Sequence, residues 1–570
     1  MLQHLLFLAS ICAATALIGS GRVDTPPMGW RHWSFYGYAI NQDIIQRSAD
    51  GLVNKTYLTR NGVPTSLCDL GYCDIGLDDQ YQTCQVPYTE DIALGLHGEG
   101  YGLGTSPSNP YRFHNPDGSI IIDTTGFFQN VSAGCAYKCG GFPSLSGMTA
   151  YIHSLGLAAG WYLNNCICQE KDADTFYEQE VAQMLQLGFD NLKVDNCAGA
   201  RNMTHWYNLL AASPLAGSFI LEACNTDNPR THGCIGYDCP FNFYRTSNDI
   251  EWSWASIMAN RAGVLSYSVG NFSQRGSWAY GDMLVVGNQY NPGPPANGFG
   301  PAEWRSQFSM WCILSSPLIL GTNIADNSTG TLAQQMAIVG NTEAIAINQK
   351  YFGYSGGAFT PSNAVLGVTY LYKPQSWDNS LTAVSVTNDG NTPVSTTLAL
   401  SDIPALSGGA FARDLWVHTT TPVSGGISVT LQAHETALYV VSSQQIVEQV
   451  YSPLGASPSN ASPPSAVSPA PVVAPPPVIV LPPPVAPPPV AGTPPVVAPP
   501  PLVSSPPLVA LPPTNSTPAT SLSTTSNSTS SKNTIVLALS VIGGFIALLA
   551  ILLACRRSHH HHRKRIKMPR

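Results

Sequence analysis

G-F-D-N-L-K-V-D-N-C, the segment from Gly188 to Cys197, gives the clearest indication of the architecture of this chain of 570 residues. Gly188 follows an amphipathic stretch, and glycine is common directly after the end of a helix. The next residues alternate with a period of two, which predicts a strand with Lys193 and Asp195 on the same face. In a barrel of parallel strands that face points inward, and residues at the carboxyl ends of the strands surround the site. Taken alone, the pair is more typical of a structural ion pair than of a reactive group.

The chain around this segment alternates between short β-rich runs and helical runs, which is typical of βα units. The candidate strands are Tyr72–Leu77, Leu157–Leu163, Phe189–Asp195, Ser218–Ala223, Phe241–Thr246, Met283–Val286 and Pro317–Gly321. Apolar residues at helical spacing predict helices at Phe176–Leu187, Asn202–Ala211, Trp252–Ala262 and Ala302–Leu314. One strand is hard to place between Cys84 and Tyr151, a region whose Gly, Pro and aromatic residues are typical of a long loop.

The pattern changes after about residue 355, where alternating strands follow one another without helical runs between them. These strands are predicted at Val365–Tyr372, Thr382–Thr387, Thr396–Leu400, Ile427–Leu431 and Thr436–Val441. Residues 355–450 are therefore predicted to form a small antiparallel β domain.

Neither end of the chain has a globular composition. Residues 1–20 include an apolar run of signal-peptide length, although basic residues before it are almost missing. Residues 451–533 are rich in Pro, Ser and Thr and predict an extended stalk. Residues 534–554 are uncharged and long enough to cross a bilayer, and the basic residues of 555–570 favour a cytosolic tail. We therefore expect a type I single-pass membrane protein of the secretory pathway, with its folded part outside the cell or in the lumen.

Charge and cysteine content narrow the class of protein further. Residues 532–570 hold eight of the 26 Lys and Arg residues and no acidic residue, so the remainder has 18 basic residues against 34 acidic ones. Such a surface repels polyanions, and nucleic acid is not an expected partner. Twelve of the 14 cysteines lie between the signal and membrane segments, which predicts disulfides, and several N-x-S/T sequons predict a glycoprotein. The spacings of Cys135 with Cys139 and of Cys234 with Cys239 could suggest zinc, but no paired histidines or C-x₂-C lie nearby, so no metal is expected.

Four ordered motifs resemble one known family. They are P-M-G-W at Pro27–Trp30, D-I-G-L-D-D at Asp74–Asp79, L-K-V-D-N-C at Leu192–Cys197 and R-T-S-N-D-I at Arg245–Ile250. Together they resemble the melibiase family, glycoside hydrolase family 27, which contains α-galactosidases and α-N-acetylgalactosaminidases. The resemblance implies a (β/α)8 TIM barrel over residues 21–354, followed by a small antiparallel β-sandwich domain over residues 355–450. It also implies an exo-acting hydrolase of terminal α-D-galactosyl residues that needs no cofactor.

The resemblance assigns the catalytic roles to two aspartates. Asp195 corresponds to the nucleophile of the family, and Asp249 corresponds to its acid/base. A retaining glycosidase needs two carboxyl groups about 5–5.5 Å apart, one to form a glycosyl-enzyme and one to protonate the leaving oxygen and then activate water. Asp249 must therefore hold a proton, and we expect burial or the neighbouring carboxylate to favour its protonated form.

The resemblance also assigns the residues that bind the sugar. Asp78 and Asp79 correspond to the carboxylates that hold the 4- and 6-hydroxyl groups, and Trp30 corresponds to a wall of the pocket. The further contacts are expected from Tyr162, Lys193, Arg245 and Met283. Disulfides are expected at Cys197 with Cys166 or Cys168, and also at Cys224, Cys234 and Cys239.

Departures from the family leave alternatives open. Relatives have a C-E-W stretch that reads the 2-position of the sugar, whereas this chain has Cys224-Asn225-Thr226. Specificity for N-acetylgalactosamine or another family substrate is therefore an alternative. An arabinopyranoside has no 6-hydroxyl for the Asp78 and Asp79 pair to hold. An alternative of another class is a surface protein that binds galactosides without turnover.

Overall fold

The computed structural model describes residues 23–55, 57–58, 62–82, 119–120, 122, 127, 144–163, 176–195, 202–224, 227–288, 299–327 and 330–446. The predicted signal peptide, stalk, membrane segment and cytosolic tail lie outside these residues. Within the ranges just given, none of the helices combines the length and the apolar character that crossing a bilayer requires.

Residues 28–320 contain a closed barrel of parallel strands. Its strands in the described part of the chain are β1 (Met28–Arg31), β2 (Asp74–Gly76), β3 (Ala158–Leu163), β4 (Asn191–Val194), β5 (Leu221–Ala223), β6 (Phe243–Arg245), β7 (Trp278–Tyr280) and β8 (Leu318–Leu320). They pair in the order β8-β1-β2-β3-β4-β5-β6-β7, and every pair is parallel. A parallel bridge between Leu284 and Leu320 closes the ring. The predicted barrel is confirmed.

Two strands differ from the sequence prediction. The eighth strand was expected between Cys84 and Tyr151, but no barrel strand of the described residues lies there. The strand that the prediction lacked is Met28–Arg31, a four-residue segment too short to show an alternating pattern. The seventh strand is Trp278–Tyr280, so the prediction of a strand at Met283–Val286 is wrong. Asp282 has a positive φ of 70°, which turns the chain out of the strand, and only Leu284 of the predicted segment pairs with a neighbour.

Helices follow the barrel strands, and each of the four predicted helices is present. Those of eight or more residues in the described ranges are α1 (Gln42–Val53), α2 (Leu145–Ser154), α3 (Tyr177–Leu187), α4 (Met203–Ala211), α5 (Trp254–Ser268), α6 (Pro301–Ile313), α7 (Leu332–Val339) and α8 (Thr342–Gln349). Gly188 ends α3 in the left-handed conformation, with φ of 80°, as the sequence predicts. Ser253 begins α5, and its side chain accepts a hydrogen bond from the backbone N–H of Ser256.

The C-terminal part is an antiparallel β sandwich, as predicted. Its strands are β9 (Gly357–Phe359), β10 (Val368–Pro374), β11 (Leu381–Asn388), β12 (Val394–Ala399), β13 (Phe411–Asp414), β14 (Thr419–Pro422), β15 (Gly426–Leu431) and β16 (Thr436–Ser442). One sheet has the order β9-β10-β11-β16-β13-β14, and β12 pairs with β15 in the other. Val384, Val441, Leu398 and Ile427 fill the space between the sheets.

Buried and partly buried ion pairs join the sandwich to the barrel helices. The guanidinium of Arg413 lies against both carboxylate oxygens of Glu343 at the start of α8, and His418 Nδ1 lies 2.8 Å from the same carboxylate. Arg261 of α5 forms a similar bidentate pair with Asp389, with 2.7 Å from Nη1 to Oδ1 and 2.9 Å from Nη2 to Oδ2. Such bidentate pairs fix orientation as well as distance.

Candidate active site

A cavity of about 230 Å³ lies at the carboxyl ends of the barrel strands. Most of the residues that the sequence predicted for the site line it, namely Asp78, Tyr162, Lys193, Asp195, Arg245, Asp249 and Met283. These residues come from the ends of β2, β3, β4 and β6 and from the segment after β7. The topology of the barrel therefore brings together residues that are far apart in the chain.

Asp195 directly follows β4, and its backbone N–H donates to the carbonyl of Leu163 at 2.7 Å. Burial by itself would raise the pKa of the Asp195 carboxyl, but the charges of Lys193 and Arg245 outweigh it and hold that pKa below its usual range. The Tyr162 hydroxyl donates a hydrogen bond to Asp195 Oδ2 at 2.9 Å, and the Cys224 thiol adds another hydrogen bond. Asp195 is thus held as a carboxylate.

Lys193 and Asp78 form a buried ion pair inside the barrel. Lys193 Nζ lies 2.6 Å from Asp78 Oδ2, and both side chains are less than 5% exposed. Burial would lower the pKa of Lys193, but the Asp78 carboxylate raises it well above its usual value. Lys193 is therefore a fixed positive charge between Asp78 and Asp195.

Asp249 lies four residues after Arg245, and the two side chains form an ion pair. Arg245 Nη1 also lies 3.5 Å from Asp282 Oδ2, and the same Asp282 oxygen accepts the backbone N–H of Ile250 at 2.9 Å. The turn that presents Asp249 is thus anchored to Asp282 through the backbone of Ile250, which follows Asp249 in the chain. The Asp249 side chain is 55% exposed, so burial, one of the two expected reasons for its protonation, is absent.

Asp195 and Asp249 line one cavity, and the guanidinium of Arg245 interacts with both carboxylates. Glycoside hydrolysis requires two acidic side chains that face a shared space. Asp195 supplies an ionised one, and Asp249 supplies one that is accessible to solvent. Their individual roles remain predictions from the motifs.

Trp30 and Asp79 are not among the residues that line the cavity, and their predicted contacts to the sugar stay predictions. Trp30 is 1% exposed, lies outside the cavity lining and donates its indole N–H to the carbonyl of Thr322 at 2.8 Å. Asp79 also lies outside the lining, and its Oδ1 accepts hydrogen bonds from the Gln80 N–H and the Gln82 side chain. Burial, together with the nearby carboxylates, raises the pKa of Asp79 to about 8.

Several residues of the cavity were not predicted. They are Trp33, Ser34, Glu251, Trp252 and Asp282. Their positions in the sequence could have indicated them, because each is next to a motif or a predicted site residue. Trp33 and Ser34 follow the P-M-G-W motif, Glu251 and Trp252 follow Asp249, and Asp282 precedes Met283.

The prediction that Cys224 forms a disulfide is wrong. Cys224 is a buried free thiol, because it follows β5 at the wall of the barrel and its sulfur is directed at Asp195. Cys234 and Cys239 form a disulfide with each other, and a second one joins Cys68 and Cys73. Cys166, Cys168, Cys197 and Asn225 lie outside the described residues. In the part of the chain with a described structure, no cluster of three His, Cys, Asp or Glu residues fits a metal ion.

Arg31 adds a second buried ion pair inside the barrel. Its Nε lies 3.3 Å from Glu222 Oε2. A Cβ at Gly76 would lie 1.6 Å from Arg31 Nη1, so glycine at that position leaves the space for the guanidinium. Glu222 therefore pairs with Arg31 and is not among the residues that line the cavity.

Comparisons with known proteins agree with this geometry. Residues 136–350 match the family model described as alpha galactosidase A, and residues 368–441 match that of the alpha galactosidase C-terminal beta sandwich domain. An alpha-galactosidase of Oryza sativa subsp. japonica is 29% identical over 74% of this chain and 85% of its own length. One from Cyamopsis tetragonoloba is 27% identical over 75% of this chain and 88% of its own length.

A solved structure shows the same fold. Alpha-galactosidase I from Mortierella vinacea superposes with a TM-score of 0.55 at 21% identity, over 74% of this chain and 98% of that chain. The barrel, the sandwich, the ordered motifs and the two matching family models lead to one assignment. The chain belongs to the melibiase family, glycoside hydrolase family 27, and is a glycoside hydrolase.

Proposed function

We propose that this chain is an α-galactosidase that removes terminal α-D-galactosyl residues from oligosaccharides or glycoconjugates with retention of configuration. Relatives that match most of the folded part are alpha-galactosidases. The single observation that supports the chemistry best is that Asp195 and Asp249 line one cavity with Arg245 beside both.

In the first step, an oxygen of the Asp195 carboxylate attacks the anomeric carbon and forms the glycosyl-enzyme bond. The bond between that carbon and the glycosidic oxygen breaks, and Asp249 transfers its proton to the departing oxygen. The lowered pKa of Asp195 supports the role of nucleophile, because the ionised form is the reactive one. The exposure of Asp249 supports the role of acid/base, because this group must exchange protons with water.

In the second step, water enters from the side that the leaving group has vacated. Asp249 removes a proton from that water, the water oxygen bonds to the anomeric carbon, and the Asp195 carboxylate departs. Two inversions give net retention. The charge of Arg245 stabilises both carboxylates as they alternate between charged and neutral forms.

Sugar recognition in this proposal depends on the buried pair of Lys193 and Asp78. The Asp78 carboxylate accepts hydrogen bonds from hydroxyl groups of galactose, and Lys193 donates to them. A sugar whose hydroxyl points elsewhere leaves these buried groups unpaired, which is costly. Trp33 and Met283 supply apolar contact to the ring.

The activity test uses the full-length protein and two aryl glycosides, the α-galactoside and the α-N-acetylgalactosaminide. Proton NMR of the first product formed from the α-galactoside reports the stereochemistry. We expect turnover of the galactoside and initial release of the α-anomer. Preference for the N-acetylgalactosaminide, initial release of the β-anomer, or binding of galactose without turnover would each contradict the proposal.

We further propose that the enzyme enters the secretory pathway and is anchored as a type I membrane protein. The support is the composition of residues 1–20, 451–533, 534–554 and 555–570. Extraction of cell membranes with alkaline carbonate should leave the full-length protein in the pellet, whereas a chain that ends at residue 450 should be found in the medium. Recovery of the full-length protein in the carbonate supernatant would contradict the anchor.

A further inference from the structure

An aromatic surface lies at the edge of the active-site cavity, in a part of the site that hydrolysis of the galactosyl bond does not itself require. Trp252 lines the cavity and is partly buried. Its ring stacks on Phe35 with 5.9 Å between the centroids and 18° between the planes. Its indole N–H donates to the carbonyl of Ser34 at 2.9 Å. Since Phe35 covers one face of the indole, the cavity meets the opposite face or the edge.

The position of this aromatic surface relative to Asp249 indicates which part of the substrate it contacts. The acid/base must contact the glycosidic oxygen, so whatever is attached to that oxygen extends past Asp249. Glu251 and Trp252 follow Asp249 in the chain and line the same cavity. They are therefore on the side where the leaving group departs, whereas the Lys193 and Asp78 pair lies in the interior of the barrel.

The backbone around this surface is held in place. Glu251 donates its N–H to Ser256 Oγ at 2.8 Å, and Ser253 caps α5. Together with the contacts to Phe35 and Ser34, these bonds fix the orientation of the indole before any ligand arrives. A preformed aromatic surface loses little conformational entropy on binding.

We propose that Trp252 and Glu251 form the binding site for the pyranose ring linked to the terminal galactose, so that oligosaccharides are better substrates than galactosides of small alcohols. This inference rests on the proposed function. The C–H face of a pyranose packs on an aromatic ring, and the Glu251 carboxylate accepts hydrogen bonds from the sugar hydroxyl groups. The acidic excess of the folded part disfavours an anionic leaving group.

The test compares two substrates whose leaving groups both need protonation. One is methyl α-galactoside, and the other is a disaccharide of galactose α-1,6-linked to a second hexose. The measured quantity is the ratio of kcat/KM for the disaccharide to kcat/KM for the methyl galactoside. A change that merely displaces Asp249 lowers both values and leaves the ratio unaltered, whereas loss of a contact to the second sugar lowers the ratio.

Trp252→Ala is expected to lower this ratio about tenfold, which is the size of one lost aromatic contact. Glu251→Ala, at an exposed position, is expected to lower it severalfold. The matched control is Trp377→Ala, because Trp377 is a 72% exposed tryptophan of the β sandwich that does not line the cavity. The control should keep the wild-type ratio.

The outcomes separate this inference from the proposed function. Ratios unchanged in both variants, with the methyl galactoside still hydrolysed, would overturn the inference and leave the proposed function intact. If Trp252→Ala does not fold, the ratio of Glu251→Ala decides alone. A wild-type protein that hydrolyses neither substrate would overturn the proposed function and this inference with it.

Discussion

Single residues set the reactivity of Asp195. Its carboxyl is buried, which favours the neutral form, yet Lys193, Arg245 and the Tyr162 hydroxyl favour the charged form and prevail. Each partner of Asp195 therefore affects the pH at which the nucleophile becomes ionised.

Tyr162→Phe removes one donor to Asp195 and is expected to raise the pKa of that carboxyl. The acidic limb of the profile of kcat/KM against pH should move upward by about one pH unit or less, since one unit corresponds to about 1.4 kcal/mol. Tyr36→Phe, which removes a hydroxyl that donates to Asn323, is the control. An acidic limb that stays in place, or that moves downward, would contradict the account of how Asp195 is ionised.

Asp249→Asn removes the proposed proton donor. Substrates with poor leaving groups, such as oligosaccharides, should lose activity by about 10²-fold or more, whereas an activated aryl galactoside should lose much less in the first step. Steady-state and burst kinetics on a series of aryl galactosides measure this difference. Equal losses of the first-step rate across the series would remove Asp249 from that role.

Motifs predicted most of the charged residues of the site, but they did not predict Glu251, Asp282 or the aromatic wall. Asp195 and Asp249 occur in distinctive local sequences, and the barrel topology leaves few places where their side chains can go. Trp30 ends the P-M-G-W motif and Trp33 follows three residues later, and the sequence alone does not show which indole faces the cavity. In the structure the Trp30 indole donates to the carbonyl of Thr322, which follows β8 in the chain, and Trp33 lines the site.

At the scale of elements, the start of α5 determines the position of the leaving-group side of the site. Asp249, Glu251 and Trp252 precede the helix directly, and the Ser253 side chain fixes its first turn. Loss of such a cap typically costs about 1 kcal/mol.

Ser253→Ala is therefore expected to lower the free energy of unfolding by about 1 kcal/mol and also to reduce kcat/KM. Ser144→Ala removes the equivalent cap from α2, outside the cavity lining, and should lower stability alone. Chemical denaturation and steady-state kinetics of both variants provide the test. Identical kinetic behaviour of the two variants would show that the cap of α5 does not affect the site.

Elements with a clear period were predictable, and short ones were not. Strand β4 and the end of α3 at Gly188 follow from local pattern. Strand β1 has four residues, and its place in the barrel depends on pairing with β2 and β8, which are distant in sequence. The positive φ of Asp282 that separates β7 from the apolar run after it has no signal comparable to a glycine.

At the scale of the whole molecule, the β sandwich stabilises the barrel through buried charges. Glu343 is 2% exposed and bonds with Arg413 and His418. A buried carboxylate that loses its partner costs far more than the pair itself contributes. The alternating strands and the family resemblance predicted the sandwich, but pairing between residues 70 positions apart could not be inferred from one sequence.

Arg413→Leu is expected to lower the free energy of unfolding by about 3–5 kcal/mol, because it leaves the buried Glu343 without its guanidinium. Arg47→Leu, which breaks more exposed ion pairs with Asp43 and Asp326, should cost about 1 kcal/mol or less. Thermal and chemical unfolding compare the two variants. Equal losses would show that the buried pair contributes no more than a surface one.

The account is tested most directly by identifying the residue that forms the covalent bond to the sugar during the reaction. The protein is incubated with 2-deoxy-2-fluoro-α-galactosyl fluoride, whose fluorine slows hydrolysis of the glycosyl-enzyme, and the digested product is analysed by mass spectrometry. We predict a single added fluorogalactosyl group on the peptide that contains Asp195, and none in Asp195→Asn. Attachment to Asp249 or to any other residue would contradict the assignment of Asp195 as the nucleophile.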